Sequence, residues 1–266
     1  MTKTIFITGA SSGLGKTTAQ LFQSKGWNVI ATLRSPEKET GLSQLPNVTL
    51  LPLDVTDMRS IDAAVKAALA LGDVDVVFNN AGYGLTGPLE DISDAQMVKL
   101  IDTNLLGVMR VTKAFIPYFR TKKKGLFITT SSMGGFVSFP FSSIYHATKW
   151  AIEGWSESMS FELASLGIGI KTVAPGGIVT DFIGRSMDAT PPNPVYDAEV
   201  KKLYALFDPE KLSQPAQIAA VVYEAATDGK DQLRYIAGED AKAIAARRQE
   251  IGAEAFRKEL GKLVLG

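Results

Sequence analysis

Tyr145 and Lys149 stand four residues apart, a spacing that puts both side chains on one face of a helix with their polar ends over one point. A tyrosine phenol at its ordinary pKa of about 10 is a poor base at neutral pH. An adjacent ammonium, helped by any further cation at the site, favours the phenolate and is expected to lower that value, so the pair suits proton exchange with an oxygen held in front of it. Ser131 and Ser132 compete for the hydrogen bond that would hold such an oxygen. Neighbours on an extended strand point to opposite sides, so one of the two faces a ligand and the other packs. His146, the only histidine, follows Tyr145 but lies about 100° further around the helix, and is read as structural or peripheral. A Ser132/His146 hydrolase arrangement lacks both a nucleophile elbow and a placed acid.

Composition removes other chemistries. The chain of 266 residues carries 28 Lys+Arg against 28 Asp+Glu, a net charge of zero, with no long basic run. No nucleic-acid or anionic-membrane partner is therefore expected. Cysteine is absent, which excludes disulfide scaffolds, thiol catalysis and zinc–thiolate sites. With one histidine, a His-rich metal site is excluded as well. The apolar share of 45% and charged share of 21% are those of a soluble globular chain. The apolar run at the start breaks at Gly9 with no cleavage pattern, and no run approaches the roughly 18 residues of a membrane span. A cytoplasmic location is expected.

The elements that must position these residues alternate. Short β-branched runs at Thr4 to Thr8, Asn28 to Leu33, Val48 to Leu53, Val74 to Asn79, Gly125 to Thr130, Ile168 to Ala174 and Leu233 to Ala237 are separated by stretches of helical period. The runs are continuously apolar, so both faces of their sheet need helices. The expected fold class is α/β: one doubly wound, Rossmann-like parallel sheet of about seven strands, in a single domain over 1–266. Helices are expected from Gly13 to Lys25, from Asp57 to Leu71 with Thr56 as N-cap, from Asp94 to Phe119 with Pro117 near its end, and from Tyr145 to Ala164. Ile183 to Gln214, with Pro191, Pro192, Pro194 and Pro209, is too long for an ordinary βα connection and reads as a lid or binding loop.

The first strand runs into Thr8-Gly9-Ala10-Ser11-Ser12-Gly13-Leu14-Gly15 and then a helix. Glycines allow a tight turn and close backbone approach, and the free N–H groups of the helix start attract a pyrophosphate. Together with Asn79-Asn80-Ala81-Gly82 at the end of the fourth strand and Tyr145-x-x-x-Lys149, this turn resembles the short-chain dehydrogenase/reductase family. The motifs run in the family's order from about Lys3 to Ile178.

The resemblance implies roles. Gly9, Ser11, Ser12, Gly13, Leu14 and Gly15 would hold the pyrophosphate, Asp54 and Val55 the adenine, and Asn80, Ala81 and Gly82 would allow close cofactor approach. Pro175, Gly176, Ile178 and Thr180 would hold the nicotinamide, whose oxidised form is the further cation that favours the phenolate, and Lys149 would reach a cofactor ribose hydroxyl. At the end of the second strand, the position that is acidic in NAD-using relatives is Leu33, and Arg34 follows it. A guanidinium there suits a 2′-phosphate, so NADP(H) is favoured, with NAD(H) as the other option. The family's serine stands 13 residues before the tyrosine, which is Ser132; it would fix the substrate oxygen beside Tyr145. Asn104 sits in a helix where asparagine has mediocre propensity; the resemblance gives it a water-linked proton path to Lys149, the residue alone a local bend.

The implied activity is interconversion of a carbonyl and an alcohol by hydride transfer, with Tyr145 as general acid or base and Asn104, Ser132 and Lys149 assisting. Met133 to Phe141 is aromatic; with Phe139, Phe182 and Met187 it forms either an apolar substrate pocket or core packing under the loop. The substrate expected is a neutral or hydrophobic ketone, aldehyde or secondary alcohol. Rival readings are a dinucleotide-binding sensor, an NAD-preferring alcohol dehydrogenase and an enzyme that epimerises or dehydrates with bound NAD. Glu239 to Val264 is an amphipathic helical stretch, and the resemblance implies a homodimer or homotetramer.

Overall fold

The residue order within the strands decides which side chains meet which helices. In the computed structural model, which describes residues 2–179, 187–206 and 208–266, β1 (Thr4–Thr8) is buried at every position. Ile5 and Ile7 point to one face and Phe6 to the other, as the two-residue period of a strand requires. Each face meets its own helices. On one side, Phe22 of α1 (Gly13–Ser24) packs edge-on against Trp27 and Tyr223, with ring centroids 5.0 and 5.1 Å apart. On the other, Phe6 meets Phe115 at 4.9 Å and Phe119 meets Phe127 at 5.0 Å. Burial of each such ring contributes about 1.5–3 kcal/mol, so both helical layers are held by the sheet rather than by their own propensity.

The other strands are β2 (Asn28–Leu33), β3 (Val48–Pro52), β4 (Val76–Asn79), β5 (Gly84–Thr86), β6 (Gly125–Thr130), β7 (Ile168–Pro175), β8 (Met187–Ala189) and β9 (Arg234–Ala237). Seven of them form one sheet in the order β3-β2-β1-β4-β6-β7-β9, with every pairing parallel. Strand order reverses between β1 and β4. The carboxyl ends of these two strands open a crevice there, the place where doubly wound sheets bind ligands.

Four local expectations need correction. Helix α2 (Met58–Leu71) is capped by Asp57, whose carboxylate accepts the Arg59 N–H at 2.9 Å. Thr56 is engaged elsewhere, its hydroxyl donating to Asp54 at 2.7 Å. The long helix is interrupted: α3 (Asp94–Ile101) passes through a π-helical turn at Asp102–Leu106 into α4 (Gly107–Lys122), which runs through Pro117. The C-terminal helical stretch breaks at Gly252, where φ is 80°, giving Glu239–Ile251 and Ala253–Leu265.

The excursion after β7 is also more ordered than a loop. Its first residues, 183–186, lie outside those described. β8 then pairs with β5 in a separate two-stranded parallel sheet, and a helix follows at Asp197–Ala205. Asn193 donates to Asp91 at 2.8 Å and Tyr196 to Glu90 at 2.5 Å, so this segment is tied across the crevice to the β5 side. Among the described residues, no helix is long and apolar enough to cross a membrane.

Candidate active site

The crevice is a cleft of about 1430 Å³ along the carboxyl edge of the sheet. At its floor, Gly9 turns the chain out of β1 with φ of 70°. A Cβ there would lie 2.7 Å from the Cα of Ala81, so only glycine allows the two segments to touch. Helix α1 starts behind this turn. Its N-cap residue Ser12 makes no side-chain capping bond, which leaves the first-turn N–H groups facing the cleft, a setting that favours an anion.

Hydrogen bonds join this turn to the far end of the site. Thr8 Oγ1 accepts the N–H groups of Asn80 and Ala81 at 2.9 and 3.0 Å, and Asn80 Nδ2 donates back to Thr8 and Gly9 carbonyls at 3.2 and 3.1 Å. Thr130 Oγ1 donates to Asn80 Oδ1 at 3.2 Å, and Lys149 Nζ donates to the Thr130 carbonyl at 2.8 Å. The ends of β1, β4 and β6 are thus linked as far as Lys149 on α5 (Ser143–Ala164).

Lys149 is 7% exposed, and its ammonium is 5.7 Å from the centre of the Tyr145 ring. Desolvation lowers its pKa to about 8, against the opposing field of Glu153. Tyr145 departs from expectation. Burial pushes its phenol above the ordinary value, and a hydrogen bond with Ser132 only partly offsets this. The neighbouring ammonium is itself poorly solvated and does not reverse the sign. A lowered phenol is therefore not achieved by this chain's groups alone.

Ser132 lines the cleft and accepts the Gly134 N–H at 3.0 Å through Oγ. Ser131 is 1% exposed, and its hydroxyl is buried with no partner among the described residues. Asn104 is also buried, in the π-helical turn. Both ends of its amide are taken by one residue: Oδ1 accepts the Tyr83 N–H at 3.0 Å and Nδ2 donates to the Tyr83 carbonyl at 2.8 Å. Its side chain does not line the cleft. What it does locally is pin the chain that follows Gly82.

Of the residues expected to hold a dinucleotide, Gly9, Ser11, Ser12, Gly13, Leu14, Arg34, Asp54, Val55, Asn80, Ala81, Gly82, Pro175, Gly176 and Ile178 line the cleft together with Tyr145 and Lys149. Gly15 does not: a Cβ there would stand 2.4 Å from the Gly9 carbonyl, so this glycine packs the turn. Thr180 lies outside the described residues, as does Phe182. Arg34 is exposed at the cleft's rim. Burial would raise the Asp54 carboxyl, but hydrogen bonds from Thr56 and the charge of Arg34 hold it below its ordinary value. Phe139 and Met187 both line the cleft, beside Leu85, Leu203 and Leu212. The wall is less neutral than expected, because Asp94, Lys99, Asp102 and Asp188 line it too.

Three contributors were not anticipated. Asp240 accepts the Gly177 N–H at 2.7 Å, and a Cβ on Gly176 would fall 2.1 Å from its carboxylate. Ser213 brackets the same segment, its N–H donating to the Gly177 carbonyl and its carbonyl accepting the Val179 N–H, both at 2.9 Å. Tyr83 presents a buried hydroxyl with no partner among the described residues, and burial, aided by Asp188, pushes it up to about 12. An acid in the first turn of a helix that follows a strand is the one sequence signal that would have marked Asp240.

Comparison with known proteins agrees with this geometry. The family model described as short chain dehydrogenase matches residues 3–190. Oxidoreductase BOA17 of Botryotinia fuckeliana (strain B05.10) is 38% identical over 258 residues, covering 94% of each chain. A short-chain dehydrogenase from Streptomyces avermitilis superposes with a TM-score of 0.82 at 32% identity, over 94% of this chain and 95% of that one. ElxO, solved with NADP bound, superposes with a TM-score of 0.74 at 27% identity, over 89% of this chain and 98% of that one. The chain belongs to the short-chain dehydrogenase family and is an oxidoreductase of that family.

Proposed function

We propose that this oxidoreductase interconverts a carbonyl and an alcohol with NADP(H), Tyr145 serving as general acid in reduction and general base in oxidation. The observation that carries the reading is that Ser132, Tyr145 and Lys149 line the same cleft, together with the residues of the glycine turn. An oxygen accepting from both hydroxyls would sit where a proton can be exchanged with it. The donor set suits a dinucleotide: an uncapped helix start for the pyrophosphate, Asp54 and Val55 for the adenine end, and the Pro175–Ile178 segment beyond Lys149. The bound nicotinamide supplies or accepts the hydride.

The remaining steps fall to the chain. Ser132 orients the substrate oxygen. Tyr145, kept protonated by burial, donates to that oxygen as it gains charge. Lys149 stabilises the phenolate left behind, and its low proton affinity makes it the group from which a replacement proton is most easily drawn. Arg34 supports NADP over NAD, since its guanidinium stands at the rim beside Asp54, where a ribose 2′-phosphate would meet it.

The test is a panel of ketones, aldehydes and secondary alcohols with each nicotinamide cofactor, read by nicotinamide absorbance. Tyr145→Phe is expected to lose turnover by about 10²–10⁴-fold while still binding NADPH. A variant that turned over normally would overturn the assignment of Tyr145. A kcat/KM for NADH above that for NADPH would overturn the cofactor preference alone.

A further inference from the structure

We propose that His146 is a positioning residue of the reaction: its neutral imidazole clasps both ends of the Gly134–Phe139 segment and so sets the geometry of Ser132 against Tyr145. The proposal rests on the function assigned above to those two residues.

The clasp is visible atom by atom. The Phe139 N–H donates to His146 Nε2 at 3.0 Å. A ring nitrogen that accepts an amide proton cannot carry one, so the proton belongs to Nδ1, which lies 3.0 Å from the Gly134 carbonyl and donates to it. One ring thus bridges two backbone groups five residues apart, one as donor and one as acceptor. The first of these residues is bound from its other side as well, since the Gly134 N–H donates to Ser132 Oγ at 3.0 Å. Gly134 consequently joins His146 to Ser132 through a single residue, its carbonyl bound to one and its N–H to the other. A side chain there is not tolerated: a Cβ would lie 2.7 Å from His146 Nδ1 and 3.3 Å from Ser132 Oγ.

Packing fixes Val137, which is fully buried, but leaves the Phe139 end of the segment thinly covered. Phe139 and His146 line the main cleft on one side and, on the other, an outer hollow of about 500 Å³ bordered by Ser138, Ser143, Ala147 and Trp150. A thin wall with open space on both sides has fewer van der Waals partners than a core residue. Directional hydrogen bonds must then supply the register. The residues from Met133 to Ser142 include no charged side chain, and the titratable neighbours of the ring on its own helix are Tyr145, with ring centres 5.9 Å apart, and Lys149. Burial keeps the imidazole neutral by lowering its pKa, against the pull of the Gly134 carbonyl. That is the protonation state the clasp requires.

Three variants of the full chain test this. His146→Phe keeps an aromatic ring and removes both hydrogen bonds; His146→Asn keeps a donor near the position of Nδ1; Ser143→Ala borders the same hollow from the helix, outside the clasped segment. For His146→Phe the expected result is a kcat reduced by about 10- to 100-fold, the size of effect that small misplacements of reacting groups produce, with the Kd for NADPH within about twofold of wild type. His146→Asn is expected to recover part of the lost kcat, and Ser143→Ala to leave it unchanged. In parallel, amide exchange at Phe139 is expected to speed up in His146→Phe. An active wild type with unaltered kcat in His146→Phe overturns the proposal while leaving the function intact. So does a kcat loss that merely tracks the fraction unfolded by thermal melting. A wild type inert toward every carbonyl and alcohol on the panel would overturn the function first, and the proposal with it.

Discussion

Lys149 and Lys171 are buried to the same degree, each 7% exposed, and they are solvated by the protein in opposite ways. Lys171 Nζ has three partners: the Ala225 carbonyl at 2.9 Å, Asp228 Oδ1 at 2.9 Å and Tyr235 Oη at 3.0 Å. Tyr235 closes the ring by donating to Asp228 Oδ2 at 2.7 Å. Burial would raise the Asp228 carboxyl, but these donors, with the Lys230 N–H, pull it down to about 2. Among the described residues Lys149 has one hydrogen bond, to Thr130, and the acid whose field reaches it, Glu153, is taken up by Arg234 at 2.7 Å and Thr172 at 3.2 Å. The ammonium with all three protons matched ties β7 and β9 to the end of the preceding helix. The one left short of partners falls to about 8 and lines the cleft. A buried charge that the fold fully satisfies is structural, while one that it leaves unsatisfied is available to a ligand.

Exchanging each lysine for methionine is the strongest way to break this contrast. Lys149→Met is expected to lower kcat by about 10²–10⁴-fold with the urea midpoint unchanged or raised, because an incompletely paired ammonium leaves the interior. Lys171→Met is expected to destabilise by about 1–3 kcal/mol, since Asp228 loses this cation and keeps as cation only Lys230 at 3.8 Å. The folded fraction should retain its kcat. Adding Asp228→Leu should restore part of the stability by removing the stranded carboxylate. If Lys149→Met unfolded the chain, or Lys171→Met abolished turnover in folded protein, the two roles would be reversed.

Little of this contrast could be read from residue order. The seven sheet strands were legible because each is apolar on both faces, and the glycine turn because its spacing is tied to a strand and a helix on either side. The π-helical turn was not, since helical period continues through Asp102–Leu106 and what distinguishes it, the grip of Asn104 on Tyr83, joins residues 21 apart. Asp240 meets Gly177 across 63 positions. His146 reads as structural or peripheral from its offset around the helix, and which of the two holds is not legible because its partners are backbone groups in an irregular segment. The burial that raises the Tyr145 phenol in the chain alone is not legible either: sequence names the neighbouring lysine but not the desolvation of the pair.

The same contrast appears in the pH dependence of stability, with opposite signs. Lys149 sits at about 8 in the fold against about 10.4 in an unfolded chain. Between those values the unfolded chain binds more protons, so stability rises with pH through that window. Asp228 sits at about 2 against about 3.9 unfolded, so its contribution is complete above about 4 and is lost as pH falls toward 2. Urea midpoints measured across both windows should show the alkaline rise vanish in Lys149→Met and the acid loss shrink in Lys171→Met. An alkaline rise that persists unchanged in Lys149→Met would assign it to another group.

The smallest expected effect concerns Glu153, which lies one helical turn beyond Lys149. Its field raises the lysine's proton affinity and so works against the larger effect of burial. Glu153→Gln removes that field while keeping a side-chain oxygen for Thr172 and Arg234, and the Arg234 side chain, 37% exposed, can still reach water. Lys149 should then give up its proton more readily. In the direction where Tyr145 donates, kcat/KM depends on the lysine staying charged, so its decline above pH 8 should move to lower pH by on the order of half a unit. A shift to higher pH would overturn an electrostatic role for Glu153, since removing a negative charge lowers the proton affinity of Lys149 and Tyr145 alike. An unmoved profile would mean that the Arg234 ion pair already cancels its field, leaving the single hydrogen bond to Thr130 as the main support of the charged form.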